Sequence, residues 1–209
     1  MYTEILLFSV FRFLLWMICK EDNLKGYPLY TYYVSVIFQI LILPFLCILY
    51  YFNIISPQTI LNISIGYFMS DMPQLYFLKD TSLIVHHILA IICIYLAKFI
   101  HIDLLYYPIV NTLAMELGSS ILSLPYIFKL SFLYKIRTLV YLISRIFSFY
   151  KSYLFIIDEK LDYNKFVFFK YLTILLLIHN TYLFYKLLKK DIKYLFKRTV
   201  IDTKKSPIL

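Results

Sequence analysis

The chain has 209 residues, of which 62% are hydrophobic and 16% charged, and its formal net charge is +9. Soluble domains are usually near half apolar and a quarter charged, so this composition argues against a soluble globular protein. The three cysteines lie far apart in or beside apolar segments, which indicates packing residues rather than a disulfide framework.

Seven apolar segments follow one another along the chain, with short connectors between them. Because about 18 or more apolar residues are typical of a membrane helix, we predict an all-α fold, a polytopic transmembrane bundle of six to seven spans. The first segment is short and carries Arg12, so it either crosses the membrane or lies in the interface. The predicted segments are 5–19, 30–52, 59–78, 82–101, 104–128, 136–157 and 165–188.

Basic residues are distributed unevenly between the two ends of the predicted bundle. With seven spans, one side receives most of the Lys and Arg residues, and that side is expected to be cytosolic. The N-terminus is then lumenal or external. We divide the chain into a first helix with its connector (1–29), a transmembrane domain (30–190) and a basic cytosolic tail (191–209).

The basic tail accounts for most of the net charge. It is either a topology determinant or a segment attracted to the anionic lipids of the cytosolic leaflet. Nucleic-acid binding is not expected, since this charge flanks a membrane span and no binding module surrounds it.

Four predicted spans each contain ionisable side chains. A charged group at the centre of a membrane helix costs about 2.5–3.5 kcal/mol, so such groups normally face one another or a polar cavity. The sequence therefore predicts an intramembrane polar site. The residues concerned are Asp71, His86, His87, Glu116 and Arg145.

The predicted span 59–78 places a tyrosine and a carboxylate on one helix face. Tyr67 and Asp71 are four residues apart, which aligns them on the same side. Pro73 cannot donate to the carbonyl of Met69, so we expect a kink or a loosened turn beside Asp71. Gly66 is expected to let a neighbouring helix approach closely.

The predicted spans 104–128 and 136–157 each carry a stripe of polar residues at helical spacing. If both face inward, Arg145 neutralises Glu116 or Asp71; alternatively, a buried ion pair only fixes helix packing. The depths of the ionisable groups predict a site that opens toward the cytosol. The stripes are Thr112, Glu116, Ser119 and Ser123, and Tyr141, Arg145, Ser148 and Ser152.

The adjacent imidazoles of His86 and His87 point about 100° apart on a helix, so that one can face a cavity while the other orients it. Imidazole can act as a base, an acid, a nucleophile or a metal ligand. Membrane di-iron enzymes need about eight histidines in clusters, and we expect His101 and His179 to be too far away to complete one. No metal site is predicted, and phosphate loops and nucleophile elbows are absent from the sequence.

Four short motifs follow one another along the chain: Gly66-Tyr67-Phe68-Met69-Ser70-Asp71, His86-His87, Glu116-Leu117-Gly118-Ser119 and Arg145-Ile146. In this order they resemble the TLC-domain family, which includes ceramide synthases, over roughly residues 30–190. Where the synthases carry His-Asp and a further Asp, this chain has Leu113-Ala114 and then Glu116. The resemblance is therefore closer to the small TLC-domain proteins.

The resemblance implies an integral membrane protein of the endoplasmic reticulum or another endomembrane, with membrane lipids as partners. Three functions follow as hypotheses: lipid binding, acyl transfer from acyl-CoA as co-substrate with no other cofactor, and interaction with membrane cargo or the translocon. The candidate catalytic residues are His86, His87, Asp71 and Glu116. The candidate lipid-binding residues are Tyr67, Thr112, Ser119 and Arg145.

Overall fold

A computed structural model describes residues 2–19, 23–24, 27–128, 131–158 and 163–203. Apart from a two-residue antiparallel strand pair, Asn23–Leu24 with Tyr27–Pro28, the regular structure in these ranges is helical. The helices are α1 (Tyr2–Ile18), α2 (Leu29–Val36), α3 (Leu43–Tyr51), α4 (Pro57–Phe77), α5 (Thr81–Ala97), α6 (Tyr106–Phe128), α7 (Ser131–Ile157) and α8 (Tyr163–Thr203).

The π-helical segment Ile37–Ile42 joins α2 to α3, so that residues 29–51 form one continuous helix. A 3₁₀ turn, Ile102–Leu104, separates α5 from α6. Each of the seven predicted apolar segments therefore coincides with a helix. The last helix is longer than predicted, because α8 continues through the proposed boundary at residue 190; residues 204–209 of the predicted tail lie outside the described residues.

Within the ranges that the structure describes, three helical stretches are long and apolar enough to cross a membrane, which makes this an all-helical protein with candidate membrane spans. They are Leu29–Tyr51, Ile136–Ile157 and Val167–Lys189, with mean hydropathies of 2.3, 1.3 and 1.4. Thr81–Ala97 is also apolar but shorter.

The α4–α5 hairpin is defined by clear start and stop signals. Ser56 caps α4 by accepting the N–H of Thr59, and Asp80 caps α5 by accepting the N–H of Leu83. Helix α4 remains helical through Pro73, so the proline does not end it. The short turn makes α4 and α5 antiparallel neighbours. This hairpin brings Asp71 of α4 next to His87 of α5.

Two contacts at opposite ends of the hairpin show its antiparallel register. Asp71, near the end of α4, meets His87, near the start of α5, while Lys98 follows α5 and donates to Asn62 near the start of α4 at 2.8 Å.

Helix α1 packs along α4 in the same direction. Glu4 lies against Gly66, where an added Cβ would stand 2.9 Å from the Glu4 backbone carbon, and Phe8 packs edge-on against Tyr67. The predicted close approach at Gly66 is confirmed, and the approaching helix is α1.

Helices α6 and α7 are packed closely and run antiparallel. A Cβ at Gly118 would collide with the side chain of Ser144, and Asn111 contacts Ser152 farther along the pair. The absence of a side chain at Gly118 is therefore what permits this spacing.

Candidate functional site

The polar network begins with an ion pair between α1 and α4. Arg12 is buried, and its Nη1 lies 2.8 Å from Asp71 Oδ1 while its Nε donates to Ser70 Oγ at 2.9 Å. The other carboxylate oxygen, Asp71 Oδ2, lies 2.9 Å from Nε2 of His87. Asp71 therefore contacts the guanidinium of Arg12 on α1 and the imidazole of His87 on α5, the two helices that flank α4.

Both ring nitrogens of His87 are occupied. Nδ1 lies 2.9 Å from the carbonyl oxygen of Leu83, one turn back on α5, and Nε2 faces Asp71. Both ring nitrogens therefore already have an oxygen partner, so His87 has no nitrogen left for a ligand, and its position is fixed.

The imidazole of His86 has a different environment. Its Nδ1 is buried without a hydrogen-bond partner, and its ring packs against Phe68. It also stacks on His179 of α8 with ring centroids 6.1 Å apart, and His179 Nε2 lies 2.9 Å from the carbonyl oxygen of Ser82. His179 is thus closer to the pair than expected, because α8 packs directly on α5, but the described residues contain no group of His, Cys, Asp and Glu side chains that could hold a metal ion.

Glu116 is 4% exposed and is reached by a residue of the π-helical segment. Gln39 Nε2 donates to Glu116 Oε2 at 2.8 Å. The preceding residue, Phe38, stacks on Tyr67 with ring centroids 3.8 Å apart. A π turn changes which side chains face a neighbouring helix and is frequent at functional sites. Here Gln39, which contacts Glu116, and Phe38, which stacks on Tyr67, both lie in the π-helical segment.

Arg145 is buried against α6 rather than against a carboxylate. Nη1 donates to the carbonyl oxygen of Met115 at 2.9 Å, and Nη2 donates to Ser119 Oγ at 2.8 Å. The predicted neutralisation of Asp71 or Glu116 by Arg145 is wrong, since the carboxylates are contacted instead by Arg12 and Gln39. The physical reason is that α1 packs against α4 and so brings the guanidinium of Arg12 to Asp71. The prediction had placed α1 outside the transmembrane domain.

The stripe on α7 nevertheless faces inward against α6. The Arg145 guanidinium lies 3.9 Å from the centre of the Tyr141 ring. Ser148 Oγ donates to Asn111 Oδ1 at 2.5 Å, and Asn111 Nδ2 donates to Ser152 Oγ at 3.2 Å. This polar seam satisfies side chains on both helices, which is the usual requirement for polar groups inside a helical bundle.

A narrow cavity, called here the apolar slot, lies between α5, α6, α7 and α8. Its volume is about 60 Å³ and its lining is mainly apolar. His86 and Glu116 lie at its inner end, and Thr112 contributes a hydroxyl to its wall. Along α6 it extends from Tyr107 to Glu116, about 13 Å at 1.5 Å per residue. Its narrow shape and mainly apolar lining suit an alkyl chain.

A second space, called here the polar cavity, adjoins Asp71 on the other side of the network. Its volume is about 350 Å³, and it lies where α4 and α6 end and α2, α5 and α7 begin. The prediction of one site opening to the cytosol is therefore incomplete. Asp71 borders the polar cavity, whereas His86 and Glu116 border the slot, which extends toward the opposite end of the bundle.

Comparison with protein-family models, with curated proteins and with solved structures finds no match to this chain. The predicted resemblance to TLC-domain proteins therefore stays a prediction.

Several residues of the site were not among those predicted: Arg12, Gln39, Asn111 and His179. Arg12 is the single charged residue of segment 5–19, and Gln39 is the single amide of segment 30–52, so each has a sequence signal like that of Arg145. The proximity of His179 to His86 follows only from the packing of α8 and has no local sequence signal.

Proposed function

We propose that this chain is a seven-span membrane protein with a TLC-like fold that binds a membrane lipid. Two features support seven spans: the helices coincide with the seven apolar segments, and α1 lies along α4 within the bundle rather than beneath it. The excess of Lys and Arg at the end where α8 finishes supports a cytosolic C-terminus and a lumenal N-terminus in an endomembrane.

The observation that carries the proposal is the unpartnered imidazole nitrogen of His86 at the inner end of an apolar slot. Leaving a buried acceptor or donor unsatisfied costs about 1–3 kcal/mol. A lipid whose alkyl chain occupies the slot, and whose hydroxyl, amine or amide group reaches His86 and Glu116, would satisfy that nitrogen. The apolar walls provide the burial, and the two polar residues provide the selectivity.

The experiment is mass spectrometry of lipids that co-purify with the full-length protein. We compare the wild type with His86→Ala, which removes the polar contact, and with Ala90→Phe, which fills the slot because Ala90 lines it. The matched control is His101→Ala, since His101 is exposed and lies outside the slot.

We expect one or a few lipid species enriched over the bulk membrane in the wild type and in His101→Ala. Both slot variants should lose that enrichment while keeping the elution volume and helical content of the wild type. Equal lipid profiles in all four proteins would overturn the proposal.

A second candidate function is acyl transfer, favoured by the different environments of the two histidines. In this scheme His86 accepts a proton from a lipid amine as the amine attacks the thioester carbonyl of an acyl-CoA. The C–N bond forms, the C–S bond breaks, and the proton passes to the departing thiolate. His87, fixed by Asp71 and Leu83, would only orient the site.

Acyl transfer is tested by supplying the purified protein with labelled acyl-CoA and a panel of lipid amines. Product that forms with wild type and His101→Ala and disappears with His86→Ala supports catalysis. If the enriched lipid is bound but no product forms with any amine, the chain is a binding protein and not a transferase.

A further inference from the structure

The apolar slot also has a cation on its wall, Lys151 of α7. The ammonium nitrogen lies 5.3 Å from the centre of the Tyr106 ring, and Tyr106 is the first residue of α6. Glu116, at the inner end of the slot, is about 15 Å farther along α6 at 1.5 Å per residue. The positive charge therefore lies toward one end of the slot, and His86 and Glu116 lie at the other.

This ammonium group has no ion pair with a carboxylate of the described residues. It lies instead near two aromatic faces, those of Tyr106 and of Phe147, whose ring centre is 5.5 Å away. The carboxylate of Asp158, at the same end of the bundle, accepts a hydrogen bond from the hydroxyl of Tyr107 at 3.2 Å. Because aromatic rings compensate a buried cation only in part, an anion in the slot would complete the environment of Lys151.

The next residue, Ser152, supplies a second donor on the same wall. It lines the slot and is 2% exposed, and its Oγ accepts from Asn111 Nδ2 at 3.2 Å. A hydroxyl that accepts one hydrogen bond still has its own proton to donate. Asn111 is itself held by Ser148, which donates to its Oδ1, so the Ser152 oxygen has a fixed position. An ammonium and a hydroxyl side by side match the two oxygens of a carboxylate.

We propose that the ligand of the slot is a fatty acid that carries a second polar group near the far end of its chain. This inference rests on the proposed function, because it takes the slot as a lipid site and names the class of lipid. The carboxylate binds Lys151 and Ser152, and a distal hydroxyl reaches His86 and Glu116. A hydroxyl suits the inner end because it can both donate and accept.

The length of the slot sets the length of the chain. An extended chain advances about 1.1–1.2 Å per bond, as an extended polypeptide does, so the distance of about 15 Å along α6 corresponds to roughly 12 to 14 bonds. A dodecanoic acid with a terminal hydroxyl has this span. The walls between the two polar ends are mainly apolar, which suits the methylene groups.

The test measures binding of three single-chain probes to the full-length protein in detergent by isothermal titration calorimetry. The probes are ω-hydroxydodecanoic acid, dodecanoic acid, which lacks the distal hydroxyl, and dodecanediol, which has a hydroxyl in place of the carboxylate. The buffer keeps the carboxylate ionised and lysine protonated. Binding is assigned to the slot when Ala90→Phe abolishes it, since Ala90 lines the slot.

The variants separate the two ends of the slot. Lys151→Gln removes the charge, Lys151→Arg keeps it, and His86→Ala removes the polar contact at the inner end. Lys98→Gln is the matched control, because Lys98 lies at the same end of the bundle as Lys151, is outside the slot and donates to Asn62.

We expect the wild type to bind ω-hydroxydodecanoic acid at least about tenfold more tightly than dodecanediol, the factor expected for a charge-assisted hydrogen bond. It should bind the hydroxy acid about threefold or more tightly than dodecanoic acid, the factor for a neutral hydrogen bond. Lys151→Gln should remove the first difference and His86→Ala the second. Lys151→Arg and Lys98→Gln should keep both.

The inference is overturned if dodecanediol or dodecanoic acid binds as tightly as the hydroxy acid, if Lys151→Gln leaves the preference for the carboxylate intact, or if Lys98→Gln removes it equally. When Ala90→Phe still abolishes binding in these cases, the slot holds a lipid without using Lys151, and the proposed function stands. Equal results for wild type and Ala90→Phe with every probe would overturn both. Should Lys151→Gln fail to fold, the comparison of the hydroxy acid with dodecanediol on wild type and Ala90→Phe decides.

Discussion

Removing both partners of the Arg12–Asp71 ion pair should destabilise the protein less than the sum of the two single removals. Arg12 and Asp71 side chains are 7% and 14% exposed and 2.8 Å apart, so Asp71→Asn strands a guanidinium inside the bundle. Loss of one partner of a buried pair costs about 3–5 kcal/mol. Arg12→Leu should cost less, about 2–3 kcal/mol, because His87 still contacts the carboxylate.

The assay is reversible or kinetic unfolding of the purified protein, with the two single variants and Arg12→Leu/Asp71→Asn in a double-mutant cycle. A loss of about 3 kcal/mol corresponds to roughly 6–12 °C in Tm for a chain of this size. The double variant should recover about 1–3 kcal/mol relative to the sum of the single effects. Ser9→Leu, on the exposed face of α1, is the control. Additive effects, or an effect of Arg12→Leu no larger than that of the control, would refute the pairing.

Three further substitutions test the packing around the site. Gly66→Leu should displace α1 and cost about 1–3 kcal/mol, because its Cβ would stand 2.9 Å from Glu4; reduced cross-linking between cysteines placed on α1 and α4 would report the displacement. Gly118→Ala should destabilise the α6–α7 contact by a similar amount, and Ser144→Gly in the same chain should restore the Tm, whereas no rescue would argue against this contact. Arg145→Lys should lower the Tm, since one ammonium cannot reproduce two divergent guanidinium bonds; an unchanged Tm would show that those bonds contribute nothing.

Most of the helices could be predicted from the sequence because their apolar segments are long and several of them begin at a clear capping signal. Ser56 with Pro57 and Asp80 are local capping signals, and they place α4 and α5 close to their predicted ends. The inward direction of Glu116 and of the α7 stripe also followed from helical periodicity.

The pairing of the charges could not be predicted in the same way. Which cation reaches Asp71 depends on which helix packs beside α4, and that is a property of the whole bundle. The π segment that aims Gln39 at Glu116 depends on hydrogen bonding within a uniformly apolar run, where periodicity carries no information.

The proposed function requires above all that the apolar slot receives a lipid chain next to His86. The most direct measurement is photo-cross-linking with a fatty acyl probe that carries a diazirine near the chain end, followed by peptide mapping of the full-length protein. Adducts on slot-lining residues of α5 and α8, such as Ile94 and Thr173, that disappear in Ala90→Phe are the predicted result. Adducts confined to outward-facing residues such as Ile143 of α7, and unchanged in Ala90→Phe, would contradict it.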